Sequence, residues 1–224
     1  MITTVYTPDG IVIATLAYDM YYEIEQLGDV DTLFPIYVRG HSHYKIFWGK
    51  YAFVYRSMNS YSYDTSLLNK LHEYENRHQE SIPNIELFVD EIGVIISETN
   101  SDVVGYIGGI DSSIPYIYHI QNKTARRINQ NERNEILYNC HCIERKEVVT
   151  RILREIKIQN GDKWEEREGL HMRCNLYSLE KAIELCKFML HTNFYANNFN
   201  TTVYDSQLPY EIIVIQNNNI KIIK

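Results

Sequence analysis

No run of eighteen apolar residues occurs in the 224-residue sequence, so no segment reads as a membrane-spanning helix. The start has neither a basic n-region nor an apolar h-region, which makes a signal peptide unexpected and the cytoplasm the expected compartment. Long blocks of one charge sign are missing too. Twenty-two basic residues against 29 acidic ones leave a net charge of −7, which disfavours nucleic acid or an anionic membrane as the main partner. The short basic patch of Lys123, Arg126 and Arg127 does not reverse that balance. Four cysteines are too few for a disulfide framework, and a reducing compartment keeps them as thiols. Among only ten glycines there is no phosphate-binding loop, and no cofactor is expected. Regular strand-helix alternation, which a doubly wound parallel sheet requires, is also absent.

What is present begins at the first residues. Thr3, Val5 and Thr7 alternate with Ile2, Thr4 and Tyr6; Pro8-Asp9-Gly10 supplies a turn, and residues 11–15 form a β-branched run. This is a β-hairpin whose first strand is expected inside a sheet. Residues 34–38, 43–48 and 51–57 are further strands, with Gly49-Lys50 as the turn between the last two. Asp64 can cap a helix running to about His78, with Leu67, Leu68, Leu71 and Tyr74 on one face. Ile85, Phe88, Val89, Ile92, Ile95 and Ile96 recur at helical spacing, although Gly93 weakens the helix and residues 94–97 could be strand. Strands return at 103–111 and 115–120 around the polar turn Asp111-Ser112-Ser113, and 136–143 is another candidate. Val148, Val149, Ile152, Leu153 and Ile156 predict a helix ended by Asn160-Gly161-Asp162. Ser178 can cap a long helix striped by Leu179, Ala182, Ile183, Cys186, Met189 and Leu190, and residues 211–216 and 220–223 form a closing hairpin. A chain of this length buries roughly 70% of its unfolded surface, enough for one large core, and a single domain over 1–224 is expected. The class is α+β, with helices layered on antiparallel sheets.

In this order of elements, the segments Thr3-Thr4-Val5 through Gly10-Ile11-Val12-Ile13-Ala14, Lys45-Ile46 followed by 51–55, and Ser178 through Cys186 are informative. The most specific is the stretch 104–120, with its Gly105, Gly108-Gly109, Asp111, Pro115 and Tyr118. Together they resemble the proteasome β-subunit family, including its bacterial relative HslV, over nearly the whole chain apart from an expanded stretch at about 157–175. The resemblance implies the four-layer αββα sandwich of N-terminal-nucleophile hydrolases and assembly of copies into a homo-oligomeric ring. It also implies a reaction: a threonine hydroxyl attacks a peptide bond while that residue's own free α-amine accepts the proton. On this chain the matching groups would be Thr3 as nucleophile after loss of Met1-Ile2, Lys45 to tune the amine, and Asp19 to hold Lys45.

The sequence departs from the family at several of these points. Ile2 is bulky where removal of the initiator favours a small residue, and the distance to Gly10 places the nucleophile at or just before Met1. Leu16 stands where the family carries a carboxylate, leaving Asp19 as the nearest acid. Late in the chain, Asn197, Asn198, Thr201 and Thr202 stand where the family has an aspartate and a Ser-Gly-Gly. Lys45 reads equally as an exposed strand lysine, and Thr3 and Thr4 as ordinary β-branched strand residues.

Two other constellations carry chemistry. Cys140-His141-Cys142 with His171 and Cys174 could converge on zinc, the Cys-x-Cys spacing placing both thiols on one strand face. His41, His43 and Lys45 share a face by period two and could form a polar site or an exposed edge. Cys142 has neither a turn nor a helix N-terminus behind it to activate the thiol. The expected protein is therefore a proteasome-β-like ring, assembly or binding subunit with eroded catalysis. The alternatives are a threonine peptidase acting through Thr3 and a zinc-stabilised binding module.

Overall fold

A computed structural model of the protein describes residues 1–16, 18–27, 30–39, 43–57, 65–78, 84–121, 123–143, 156–160, 163–167, 172–197, 210–217 and 219–223. Strands β1 (Ile2–Thr7) and β2 (Gly10–Leu16) form the opening hairpin, closed at the Thr7–Gly10 pair. The Thr7 hydroxyl accepts the Asp9 N–H at 3.2 Å and so braces the turn. As expected, the hairpin lies inside a sheet.

The ladder β3 (Tyr18–Leu27) with β4 (Val30–Arg39) follows, and then the second sheet begins. That sheet contains β5 (His43–Trp48), β6 (Tyr51–Ser57), β7 (Val103–Asp111), β8 (Ile114–Gln121) and β9 (Thr124–Arg127), in that order and antiparallel throughout. The first sheet is completed from far along the chain. β10 (Asn139–Ile143) pairs with β1, while β13 (Tyr210–Gln216) and β14 (Asn219–Ile223) extend β2, giving the order β10-β1-β2-β13-β14. β11 (Ile156–Asn160) and β12 (Lys163–Arg167) form a separate two-stranded ladder.

Alternation along the strands sorts the core into three clusters. Ile2, Tyr6, Ile11, Ile13, Ile213 and Ile215 of the first sheet meet Ala52, Val54, Val104, Tyr106, Ile110 and Ile117 of the second. The intervening residues Val5, Val12, Ala14, Ile212 and Val214 pack instead with Ala182, Cys186, Met189 and Leu190 of helix α3 (Leu179–Asn197). In the second sheet Tyr51, Phe53, Tyr55 and Ile107 pack with helices α1 (Thr65–Arg77) and α2 (Ile85–Glu98). Both faces of the central strands are thus buried. This is why β1, β2 and β13 read as near-continuous apolar or β-branched runs rather than as half-polar ones. No helix among the described residues is long and apolar enough to cross a membrane.

The cap expected at Ser178 is present, and Asn84 supplies one that the sequence reading did not assign. Ser178 Oγ accepts the Lys181 N–H at 3.4 Å at the start of α3, and Asn84 Oδ1 accepts the Leu87 N–H at 2.8 Å at the start of α2. Asp64 lies outside the described residues. α2 buries Ile85, Phe88, Val89, Ile92, Ile95 and Ile96, so residues 94–97 are helical and Gly93 is tolerated within the helix. A Cβ at Gly93 would meet nothing within 4 Å. Gly93→Ala is therefore expected to raise stability by about 0.5–1 kcal/mol, the usual helix-interior difference between the two residues, as read by urea unfolding. Unchanged or lowered stability would contradict this account of the helix.

The turn between β7 and β8 has Ser112 and Ser113 at φ 50° and 65°, a two-residue hairpin of the kind that matches strand twist. It presents Asp111 at the junction of sheet and helix. The Asp111 carboxylate accepts hydrogen bonds from the Tyr51 hydroxyl at 2.7 and 2.8 Å and from the Ile85 N–H at 2.9 Å, and pairs with Lys50. One side chain thereby joins β6, β7 and the first turn of α2.

Of the sequence expectations, two are corrected at their ends and one is borne out within a longer strand. The 136–143 strand contracts to Asn139–Ile143, with Ile136 reduced to an isolated bridge to Gln130. The helix expected at 148–156 lies outside the described residues except for Ile156, which opens a strand. Ile156 and Ile158 alternate with Lys157 and Gln159, and this period of two wins locally. Asn160 pairs with Lys163, so Asn160 belongs to a strand rather than to the end of a helix. The strand expected at 34–38 is part of a longer ladder of ten-residue strands that begins at Tyr18.

Candidate functional site at the first strand

β1 has neighbours on both sides, and its threonines are enclosed. Thr3 pairs with Ala14 on β2 and Cys142 on β10, is fully buried, and donates its hydroxyl to the Ala14 carbonyl at 3.5 Å. It also lies within hydrogen-bonding reach of Cys186 on α3, so this side chain is on the helix-facing side of the sheet. Thr4 is equally buried and donates to the Val12 carbonyl at 3.0 Å. Ile2 precedes them at 1% exposure, held between Thr15 and Ile143 and packed into the inter-sheet core.

The other two residues expected to act with Thr3 stand on different ladders. Lys45 is on β5, opposite Val54 in the second sheet, and Asp19 is on β3, opposite Val38. Leu16, at the position of the family's carboxylate, is buried at the end of β2. His43 pairs with Arg56 two positions from Lys45 along the same strand. His41, His171, Asn198, Thr201 and Thr202 lie outside the described residues.

The cysteine-histidine set divides between two faces. Cys140 and Cys142 both turn toward α3, as their spacing predicts, and Cys174 joins them from the short 3-10 turn Cys174–Leu176. His141, between the two cysteines, projects to the opposite side and is lost to a common metal site with them. Among the described residues, no group of three or more His, Cys, Asp or Glu side chains is arranged to hold a metal ion.

On that opposite side is a cluster that sequence reasoning missed. The Tyr106 hydroxyl is 2.6 Å from His141 Nδ1, which bridges the two sheets. The His119 ring, whose residue is the register partner of Tyr106, lies 5.8 Å from the Tyr106 ring and 5.4 Å from that of His141. Tyr106 is fully buried, and desolvation holds its phenol well above the ordinary range. It therefore stays protonated, with a hydroxyl proton to share with His141 Nδ1. The only trace of this in the sequence is the alternation of β10, which separates His141 from its flanking cysteines.

No protein-family model and no curated protein matches the sequence. Solved structures do share the fold. An Anbu Gly-1 mutant from Hyphomicrobium sp. strain MC1 superimposes with a TM-score of 0.61 at 11% identity, covering 100% of this chain and 84% of that one. Anbu, described as an ancestral β-subunit, from Yersinia bercovieri gives a TM-score of 0.54 at 12% identity, covering 96% of this chain and 81% of that one. The likeness is one of fold: an α+β, proteasome-like arrangement.

Proposed function

We propose that the protein is a single proteasome-β-like domain with the four-layer αββα arrangement of N-terminal-nucleophile hydrolases, that it has lost catalysis, and that it acts as a ring, assembly or binding subunit built from copies of itself. The layering is supported by the three buried clusters, one between the sheets and one beneath the helices on each side. The loss of catalysis is supported chiefly by Ile2.

Hydrolysis of the family type requires the α-amine of Thr3 to be free beside its own hydroxyl. Freeing it means removing Ile2, which is a core side chain paired on both edges. Losing a buried isoleucine costs about 2–5 kcal/mol before the ladder hydrogen bonds are counted. The Thr3 hydroxyl meanwhile serves the sheet through the Ala14 carbonyl.

The test is the intact mass of untagged protein together with its native mass. The expected result is a chain that retains Ile2 and migrates as an oligomer. A chain lacking Met1 and Ile2 would overturn the catalytic part of the reading and favour a threonine peptidase with Thr3, Lys45 and Asp19 in the roles the resemblance implies. A monomer would remove the assembly part.

A further inference from the structure

Alternation along β10 turns His141 away from its flanking cysteines, and the fold sets a second imidazole beside it. His141 pairs with Thr4 in the first sheet, whereas His119 pairs with Tyr106 in the second, so the two rings come from different layers. Their centroids are 5.4 Å apart, with the ring planes at 51°. The Tyr106 ring completes a triangle, 5.8 Å from each of them. Tyr106 is fully enclosed in the core between the sheets, while both histidines are half-buried and within reach of a small solute. An imidazole nitrogen about 2.0–2.1 Å from a metal puts its ring centroid about 3 Å from the ion, so two rings ligating at octahedral or tetrahedral angles have centroids roughly 4.5–5.5 Å apart. The His119–His141 separation falls in that range.

We propose that His119 and His141 together bind one divalent transition-metal ion of the zinc, nickel or copper type, clasping the first sheet to the second. Imidazole is a donor these ions favour, whereas magnesium and calcium require oxygen ligands. No third His, Cys, Asp or Glu joins the pair among the described residues, so water fills the remaining positions and the ion is exchangeable. The Tyr106 hydroxyl, 2.6 Å from His141 Nδ1, assigns the ligating atom. The ion takes Nε2 of His141, and Nδ1 then carries a proton that it donates to the phenol oxygen, the usual outer-shell arrangement of a metal-bound histidine. Tyr106 is a positioning residue here: it holds the His141 ring by the nitrogen that the metal does not use. Ligation replaces any hydrogen bond that the ligating nitrogens make in the metal-free protein.

β10 stands at one end of its sheet's order, and His141 is its link to Tyr106. An ion shared with His119 would fasten that strand to β8 as well, and through β8 to β7. The inference does not rest on the function proposed above.

The experiment uses the full chain, reduced and stripped with a chelator, titrated by calorimetry with Zn²⁺ and separately by absorbance with Co²⁺, whose spectrum distinguishes imidazole from thiolate ligands. The expected result is one Zn²⁺ per chain, a higher melting temperature with zinc than without, and a Co²⁺ spectrum lacking the thiolate charge-transfer band. His119→Ala and His141→Gln are each expected to weaken zinc binding at least about tenfold, and Tyr106→Phe about tenfold with its metal-free melting temperature retained. His43→Ala, which removes a histidine of the other candidate polar face, leaves the affinity unchanged. Metal-free melting curves check that each variant folds, and His119→Ala, at a half-buried position, carries the test if His141→Gln does not. No zinc binding, a thiolate band with Co²⁺, parental affinity in a folded His119 or His141 variant, or loss of binding in His43→Ala would each overturn the proposal. Parental affinity in Tyr106→Phe would overturn the positioning role of Tyr106.

Discussion

Replacing Gly105 with alanine is expected to destabilise the protein by roughly 3 kcal/mol or more, enough to leave much of it unfolded. Gly105 lies in β7, between Tyr55 on β6 and Ile120 on β8. A Cβ added there would sit 2.3 Å from the Val54 carbonyl oxygen and 2.8 Å from the Tyr55 Cα. These are backbone atoms of an interior strand, so no rotamer change relieves the overlap. β6 would have to move away from β7, opening the ladder on which Phe53 and Tyr55 stack with centroids 4.6 Å apart. The same chemical change at Gly93 has the opposite expected sign, which makes the two variants a matched pair. Urea unfolding of both reads the contrast, and a Gly105→Ala stability within 1 kcal/mol of the parent would show that β6 can yield.

Asp111→Ala is expected to cost about 2–4 kcal/mol at neutral pH. The change strands the Tyr51 hydroxyl, in a residue 1% exposed, and leaves the first N–H of α2 without its acceptor. Asp111→Asn keeps an acceptor but loses the charge opposite Lys50, and should cost about 1–2 kcal/mol. Burial alone would raise the Asp111 carboxyl. Hydrogen bonds from Lys50, Tyr51 and the Ile85 N–H, with the Lys50 charge, outweigh burial and hold it below its usual range. The folded state thus binds this proton less readily than the unfolded chain, in which an aspartate titrates near about 3.9. The contribution is full at neutral pH and is lost as pH falls from the unfolded value through the lower folded one. Stability measured at pH 7 and near pH 3 should show the parent and Asp111→Ala converging in acid. A gap that stays constant would separate the destabilisation from the charge.

Periodicity recovers the elements whose burial is one-sided or continuous. Ile85 through Ile96 mark α2 because one helical face alone meets the second sheet, and Val103 through Asp111 mark β7 because both faces of that strand are covered. It fails where patterns compete. Ile156 suits a helical stripe with Val148, Val149, Ile152 and Leu153, and equally a strand in which Ile156 and Ile158 alternate with Lys157; pairing with Arg167 decides for strand at this residue. The site is less legible still, because alternation separates His141 from Cys140 and Cys142 without saying what each face meets. The Tyr106–His141 contact needs two sheets to be stacked. Thr3 was visible as a strand residue. Its enclosure depends on β10 and α3, which lie more than a hundred residues away in the sequence.

The order of strands in the first sheet also bears on how the chain is made. β1 and β2 are synthesised before the other strands of their sheet and can close their hairpin at once, yet both outer edges of that hairpin are completed by strands synthesised much later, β10 on one side and β13 on the other. Until those strands are made, a hairpin apolar on both faces waits with unpaired backbone groups, a natural client for a holding chaperone. Completion of the sheet falls after Ile215 is released, so this sheet closes long after its opening hairpin is made.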